Sequence, residues 1–118
     1  MKTINELIRE IGALKSNAHM KDFLLTWEQT RDEIKLVLKV AEALKRMRGE
    51  NIATKVFGSG LGVSIFRDNS TRTRFSYASA LNLLGLGQQD LDEGKSQIAH
   101  GETVRETANM ISFCAEAI

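Results

Sequence analysis

The sequence predicts an α/β fold, a parallel sheet with flanking helices, and three observations carry that prediction. Val63-Ser64-Ile65-Phe66 is a short run of β-formers, broken by Arg67-Asp68-Asn69 and followed from Thr71 by a helical pattern. Between Phe75 and Gln89 there is no charged residue, so the helix there is apolar nearly all round. Such a helix belongs under a sheet, against a neighbouring subunit, or both. Gly85 then stops it, and Leu86 to Leu91 is a second candidate strand. A strand, a helix and a strand joined by a connection of this length make a right-handed parallel unit.

Composition narrows the function classes. At 118 residues the chain is one domain at most, with room for one core. Its apolar fraction of 42% and charged fraction of 26% are those of an ordinary globular chain. A net charge of +1 offers nothing global to nucleic acid or an anionic membrane. The lone cysteine, Cys114, excludes an intrachain disulfide and suits a reducing, cytoplasmic compartment. The first residues carry no signal-peptide pattern, and no stretch reaches a membrane-spanning length.

The elements follow in chain order. Thr3-Ile4-Asn5-Glu6 is a capping box opening a helix with an Ile4, Leu7, Ile8, Ile11 and Leu14 stripe. Lys15 to His19 is a loop, and His19, with only Asp22 nearby, reads as a surface histidine. Asp22 to Trp27 is a short apolar segment, with Trp27 expected as a packing anchor. Thr30-Arg31-Asp32-Glu33 is a second capping box, and its helix runs to about Arg48 with Gly49 as the stop. Ile34, Val37, Leu38, Ala41, Leu44 and Met47 form the expected apolar face. Lys45, Arg46 and Arg48 suit the negative end of the helix dipole better than a nucleic-acid patch.

The glycines of Gly58-Ser59-Gly60 fail as a dinucleotide motif, because position 63 is Val. Gly94-Lys95-Ser96 fails as a phosphate loop, because its leading position is Gln89. Asp92 to Gly101 reads as a polar loop. From Glu102 to Ala117 a last helix is expected, with Val104, Ala108, Ile111 and Ala115 facing the core and Cys114 a buried structural thiol. No cap or polar tail closes that helix, so the chain reads as the front of a longer protein.

Chemistry concentrates at the head of the charge-free helix. Ser70 is the N-cap candidate, its hydroxyl placed to accept from the N–H groups of residues 72 and 73. A helix N-terminus is an anion site by virtue of its unpaired donors and its dipole. Here the same turn adds the hydroxyls of Ser70, Thr71 and Thr73 and the guanidinium groups of Arg72 and Arg74. A guanidinium offers two parallel N–H bonds to one phosphate. Cations at this end of a helix work against the dipole, so their presence points to a ligand. No metal-ligand spacing and no cofactor motif occurs, and neither group is expected.

Ser70-Thr71-Arg72-Thr73-Arg74 after a Phe-ended strand resembles the carbamoyl phosphate signature of the aspartate and ornithine carbamoyltransferases. The chain departs from the family in carrying Arg67-Asp68-Asn69 between strand and serine. A second segment, Ser96-Gln97-Ile98-Ala99-His100-Gly101-Glu102-Thr103, resembles the ornithine-type loop that completes the phosphate site of an adjacent subunit. The resemblance implies that residues 1–118 are most of an N-terminal carbamoyl phosphate-binding domain, with the acceptor-binding domain lying beyond Ile118. It implies a transferase moving a carbamoyl group from carbamoyl phosphate to an amine, amino acid-like acceptor, in a homotrimer, with this chain alone inactive. It implies that Ser70, Thr71, Arg72 and Thr73 bind carbamoyl phosphate, with Arg72 and Thr73 catalytic. It implies that Gln97, Ser96 and His100 reach the site of the adjacent subunit, and that Arg74 supports the loop through a carboxylate. The alternative is a non-catalytic phosphate-binding, oligomerising module. Nucleic-acid binding through Arg67, Arg72 and Arg74 lacks interleaved aromatics and overall positive charge.

Overall fold

The computed structural model describes residues 2–118. They form two compact units, meeting in sequence between Ala53 and Thr54. In the first unit, α1 spans Ile4–Gly12 and α2 spans Arg31–Gly49, with a 3-10 turn at Thr26–Glu28 between them. Both helices open on the expected capping boxes. Thr3 accepts from the Glu6 N–H and Glu6 accepts from the Thr3 N–H at 2.7 Å, and Thr30 and Glu33 repeat the pattern at 2.8 Å. Each box satisfies two donors that the first helical turn leaves without partners.

Three expectations for this unit are corrected. The helix stop is Asn51, which takes the left-handed conformation at φ 59, two residues past Gly49. The Ile52 N–H returns to the Met47 carbonyl at 2.8 Å and the Asn51 N–H to Arg48 at 3.0 Å. That is the usual left-handed helix ending, which a short polar side chain tolerates almost as glycine does. The packed face of α2 is also rotated from the expected stripe. Ala43 is its buried residue, while Val37, Leu38 and Ala41 are exposed. Lys39 pairs with Glu10 of α1, and Leu7 of α1 is the most buried side chain of the unit. The α1 contact therefore selects the Lys39–Ala43 side. Trp27 is 80% exposed and anchors nothing.

The second unit holds the sheet. β1 (Leu61–Phe66) and β2 (Gly87–Asp92) pair in parallel, with Ser64 opposite Asp90 and Phe66 opposite Asp92. β2 begins one residue later than expected because Leu86 is spent on ending the intervening helix. That helix, α3, spans Thr71–Leu84 and closes on Gly85 at φ 98. The Leu86 N–H donates to the Leu81 carbonyl at 2.9 Å and the Gly85 N–H to Asn82 at 3.2 Å, while Leu81 and Leu86 are both buried. Helix ending and hydrophobic contact are one motif here. Because strand side chains alternate, Gly62, Ser64 and Phe66 share one face of β1. α3 covers that face so closely that a Cβ on Gly62 would lie 2.4 Å from the Leu81 side chain. The charge-free helix is thus buried along one side only, since Phe75 at its head is 74% exposed.

The last helix, α4, spans Val104–Ser112 and opens on a third capping box, Thr103 with Glu106. It is shorter than expected. The Ser112 hydroxyl donates back to the Ala108 carbonyl at 2.7 Å, which loosens a helix end. The chain beyond then runs along the free edge of β1. The Glu116 N–H donates to Leu61 and the Val63 N–H to Ala117, both at 2.8 Å. Strand-edge groups that would otherwise lack protein partners win over continuation of the helix. This path carries Cys114 to the surface, where it is exposed rather than buried. On α4 itself Thr107 and Ile111 are the buried residues, and Val104 is 60% exposed.

Candidate anion site

The site is built where β1 ends. Residues 67–70 leave the strand, and α3 starts at Thr71 with Ser70 in the extended N-cap conformation. In open α/β sheets this is the end at which ligands bind. Ser70 does not cap as expected, for its side chain makes no hydrogen bond to the first turn. At φ −146 and ψ 93 the backbone sets the hydroxyl away from the N–H groups of residues 72 and 73. The hydroxyl and the helix donors therefore remain available to one external acceptor. Thr71, Arg72 and Thr73 are exposed beside it. Among the described residues, Arg72 makes no side-chain hydrogen bond and no ion pair.

Arg74 is placed differently. Residues two apart on a helix point about 200° apart, so Arg72 and Arg74 leave opposite sides of α3. Arg74 faces the sheet. Its Nη1 donates to Asp90 Oδ2, its Nη2 donates to Asp92 Oδ1, and its guanidinium lies 4.3 Å from the centroid of the Phe66 ring. The other oxygen of Asp90 accepts the Ser64 hydroxyl at 2.6 Å. The Ser64 hydroxyl and the Arg74 guanidinium hold the Asp90 carboxyl below its ordinary value of 3.8. The hydrogen bonds to Asp92 and Asp90 hold the Arg74 guanidinium in its charged form.

One register step further, on the opposite face, Arg67 pairs with Glu93 at 2.6 and 3.3 Å. That pair ties the residue after β1 to the start of the polar loop. The loop is two 3-10 turns, Glu93–Lys95 and Gln97–His100. Ser96 lies between them and is used locally, donating to the Glu93 carbonyl at 2.7 Å and accepting from the Ile98 N–H at 3.3 Å. Gln97 and His100 are exposed. Among the described residues no hydrogen bond links Ser96, Gln97 or His100 to Ser70–Arg74. The structure thus gathers Ser70, Thr71, Arg72 and Thr73 in one turn and leaves Ser96, Gln97 and His100 outside it.

Asp90 and Asp92 are the residues that sequence reasoning missed. Their signal was two carboxylates at strand spacing opposite Ser64 and Phe66, visible only once the register is known. A cleft of about 340 Å³ lies on the other sheet face between Ile65, Arg67, Glu93, Ile98 and α4. A larger cavity of about 530 Å³ in the first unit is rimmed by Lys45, Arg46 and Glu50 and lies apart from the anion turn in sequence and in compact unit. No group of three or more His, Cys, Asp or Glu among the described residues could hold a metal ion. No helix among them is long and apolar enough to cross a membrane.

Comparison with known proteins completes the description. The family profile described as aspartate/ornithine carbamoyltransferase, carbamoyl-P binding domain, matches residues 21–118. The protein named "Putative carbamoyltransferase YgeW" of Escherichia coli K12 is 80% identical over all 118 residues, which span 30% of its length. An ornithine carbamoyltransferase of Staphylothermus marinus is 34% identical over 83% of this chain and 32% of its own. Among solved structures, the catalytic subunit of M. jannaschii aspartate transcarbamoylase superimposes with a TM-score of 0.70 at 27% identity. That superposition covers 81% of this chain and 32% of the subunit. The chain thus spans about a third of the length of the relatives it matches.

Proposed function

Because the chain belongs to the aspartate/ornithine carbamoyltransferase family, matching its carbamoyl-P binding domain over residues 21–118, we propose that the anion turn holds carbamoyl phosphate for transfer of its carbamoyl group to an amine. The observation that carries this reading is the division of labour at the head of α3. Ser70 is released from capping and Arg72 is unpaired among the described residues, while Arg74 is drawn off by Asp90 and Asp92. One unpaired cation, three hydroxyls and the first N–H groups of a helix thereby lie within a single turn, where an anion can meet them.

The reaction follows from that arrangement. The amine nitrogen attacks the carbonyl carbon of carbamoyl phosphate and forms a C–N bond. The tetrahedral intermediate then collapses, breaking the bond from carbon to the bridging oxygen. Phosphate leaves with that electron pair, and the amine loses a proton. Arg72 binds the phosphate and offsets the departing charge. Thr73 reaches the carbonyl oxygen as well as the phosphate, and Ser70 and Thr71 add hydroxyl and backbone donors. No covalent bond to the protein forms, so the rate comes from orientation and preorganised charge. Gln97, with Ser96 and His100, acts on the site of an adjacent subunit in a homotrimer, and within one chain no hydrogen bond among the described residues ties them to the turn. Residues 1–118 are most of the carbamoyl phosphate-binding domain and supply the phosphate half of the site, and a separate acceptor-binding domain supplies the acceptor half.

The test is phosphate release from carbamoyl phosphate against a panel of amines, using the protein that carries this chain. Arg72→Ala is expected to lower turnover by about 10²–10³-fold, the usual cost of one preorganised donor. An Arg72→Ala enzyme with unchanged turnover and unchanged affinity for carbamoyl phosphate refutes the assignment.

A further inference from the structure

Arg74 stands in the same turn as the ligand-facing residues, yet its side chain is committed elsewhere. Asp90 and Asp92 are two apart on β2, so their carboxylates project from one face. The parallel register puts Ser64 and Phe66 opposite them, on the face that α3 covers. Three side chains from the two strands thus surround one guanidinium at the head of α3, and a fourth, Ser64, holds one of the three. Asp90 and Asp92 each take one of its terminal nitrogens, Phe66 lies against its flat face, and Ser64 fixes Asp90 from below. The guanidinium is partly buried, with 23% of its side chain exposed.

We propose that Asp90 and Asp92 are positioning residues for the anion turn, clamping Arg74 so that the head of α3 is held at the C-terminal end of β1. The proposal rests on the phosphate reading given above and adds to it the part of the protein that sets the turn's geometry. Two consequences distinguish a clamp from general packing. The first turn of α3 follows a four-residue connection and is exposed on its outer side, so its inner side must be tied if its donors are to converge. The clamp also occupies Arg74, leaving Arg72 as the guanidinium that meets the ligand.

Charge and geometry predict opposite signs for the decisive variants. Asp90→Asn or Asp92→Asn removes a negative charge near the anion site, which by Coulomb attraction alone tightens phosphate binding. Loss of the clamp lets the turn move and weakens it. The experiment is titration with inorganic phosphate, followed by phosphorus NMR or calorimetry, with carbamoyl phosphate kinetics alongside. The protein that carries this chain is used, well below each variant's melting temperature. Asp92→Asn and Asp90→Asn are expected to raise the phosphate Kd about tenfold and to lower kcat, with Asp92→Glu restoring part of the loss. Ser64→Ala, which keeps both carboxylates and frees only one side of Asp90, gives a smaller rise and serves if an aspartate variant does not fold. Variants that bind phosphate as tightly as wild type, or more tightly, overturn the clamp while the phosphate site stands. A wild-type protein that binds neither inorganic phosphate nor carbamoyl phosphate overturns the phosphate reading and the clamp together.

Discussion

Ser64 of β1 donates its hydroxyl to Asp90 of β2 at 2.6 Å, directly across the strand register. This bond, with that to Arg74, favours the ionised carboxylate, so the folded-state value lies below the ordinary 3.8. A carboxylate depressed in the folded state adds stability above its unfolded value, and that stability is lost as pH falls through the folded value. Glu6, Glu33 and Glu106 act in the same direction, each lowered chiefly by the backbone N–H of its capping threonine. The melting temperature is therefore expected to be flat above about pH 5 and to fall below it, where all these groups take up protons. Ser64→Ala should lower stability at neutral pH and flatten the acid slope. Thermal melts from pH 3 to 7 check this, and parallel acid slopes for wild type and Ser64→Ala would sink it.

Ser70 separates structure from function in one residue. Replacing an N-cap serine that bonds to its helix costs about 0.5–2 kcal/mol. Ser70 makes no such bond. Ser70→Ala should therefore change stability by less than about 0.5 kcal/mol, as a surface substitution does, while weakening binding of carbamoyl phosphate. Paired denaturant melts and ligand titrations decide the matter. A full capping loss with unchanged ligand affinity would return Ser70 to an ordinary helix cap.

What could be read in the sequence was local. The capping boxes of α1 and α2 need only a threonine and a glutamate three residues apart, and both form. The strand, helix and strand of the second unit follow from alternating and helical periods and from one glycine with positive φ. The anion turn was legible for the same reason, because its residues are consecutive. What could not be read depends on partners distant in the chain. Arg74 meets carboxylates 16 and 18 residues on, and only the register between β1 and β2 brings them there. The end of α4 depends on a free strand edge at Leu61 and Val63, which outcompetes the helical pattern of residues 113–117. The face of α2 was misassigned because its apolar residues exceed what α1 can cover, leaving Val37 and Leu38 at 51% and 65% exposure.

Cys114 gives an inexpensive check on the path after α4. A helix continuing to Ala117 would carry the thiol near a core stripe, whereas the observed turn leaves it exposed. In the native protein Cys114, followed by peptide mapping, should react with a maleimide or a disulfide reagent at a rate close to that in the denatured protein. Protection by more than about tenfold, beyond what a change in thiolate fraction explains, would place the residue in a helix or an interface.

The contact between Gly62 and Leu81 sets the distance between α3 and the sheet. A Cβ on Gly62 would approach two Leu81 methyl carbons at 2.4 and 2.5 Å, and Leu81 is only 3% exposed. Gly62→Ala should therefore destabilise by about 1–3 kcal/mol through overpacking. Leu81→Ala removes a buried side chain and leaves space, at a cost of about 2–5 kcal/mol. In the double variant the new methyl group enters the space that the leucine vacated. The two losses should then fall short of additivity by at least about 0.5 kcal/mol, as expected for residues sharing one cavity. Denaturant unfolding of the four proteins in the cycle measures that term. Strict additivity would mean that α3 relaxes away from β1 and that the glycine does not set the layer spacing. Overpacking in Gly62→Ala presses on α3 and disturbs its head, so the double variant should also bind carbamoyl phosphate more tightly than Gly62→Ala alone.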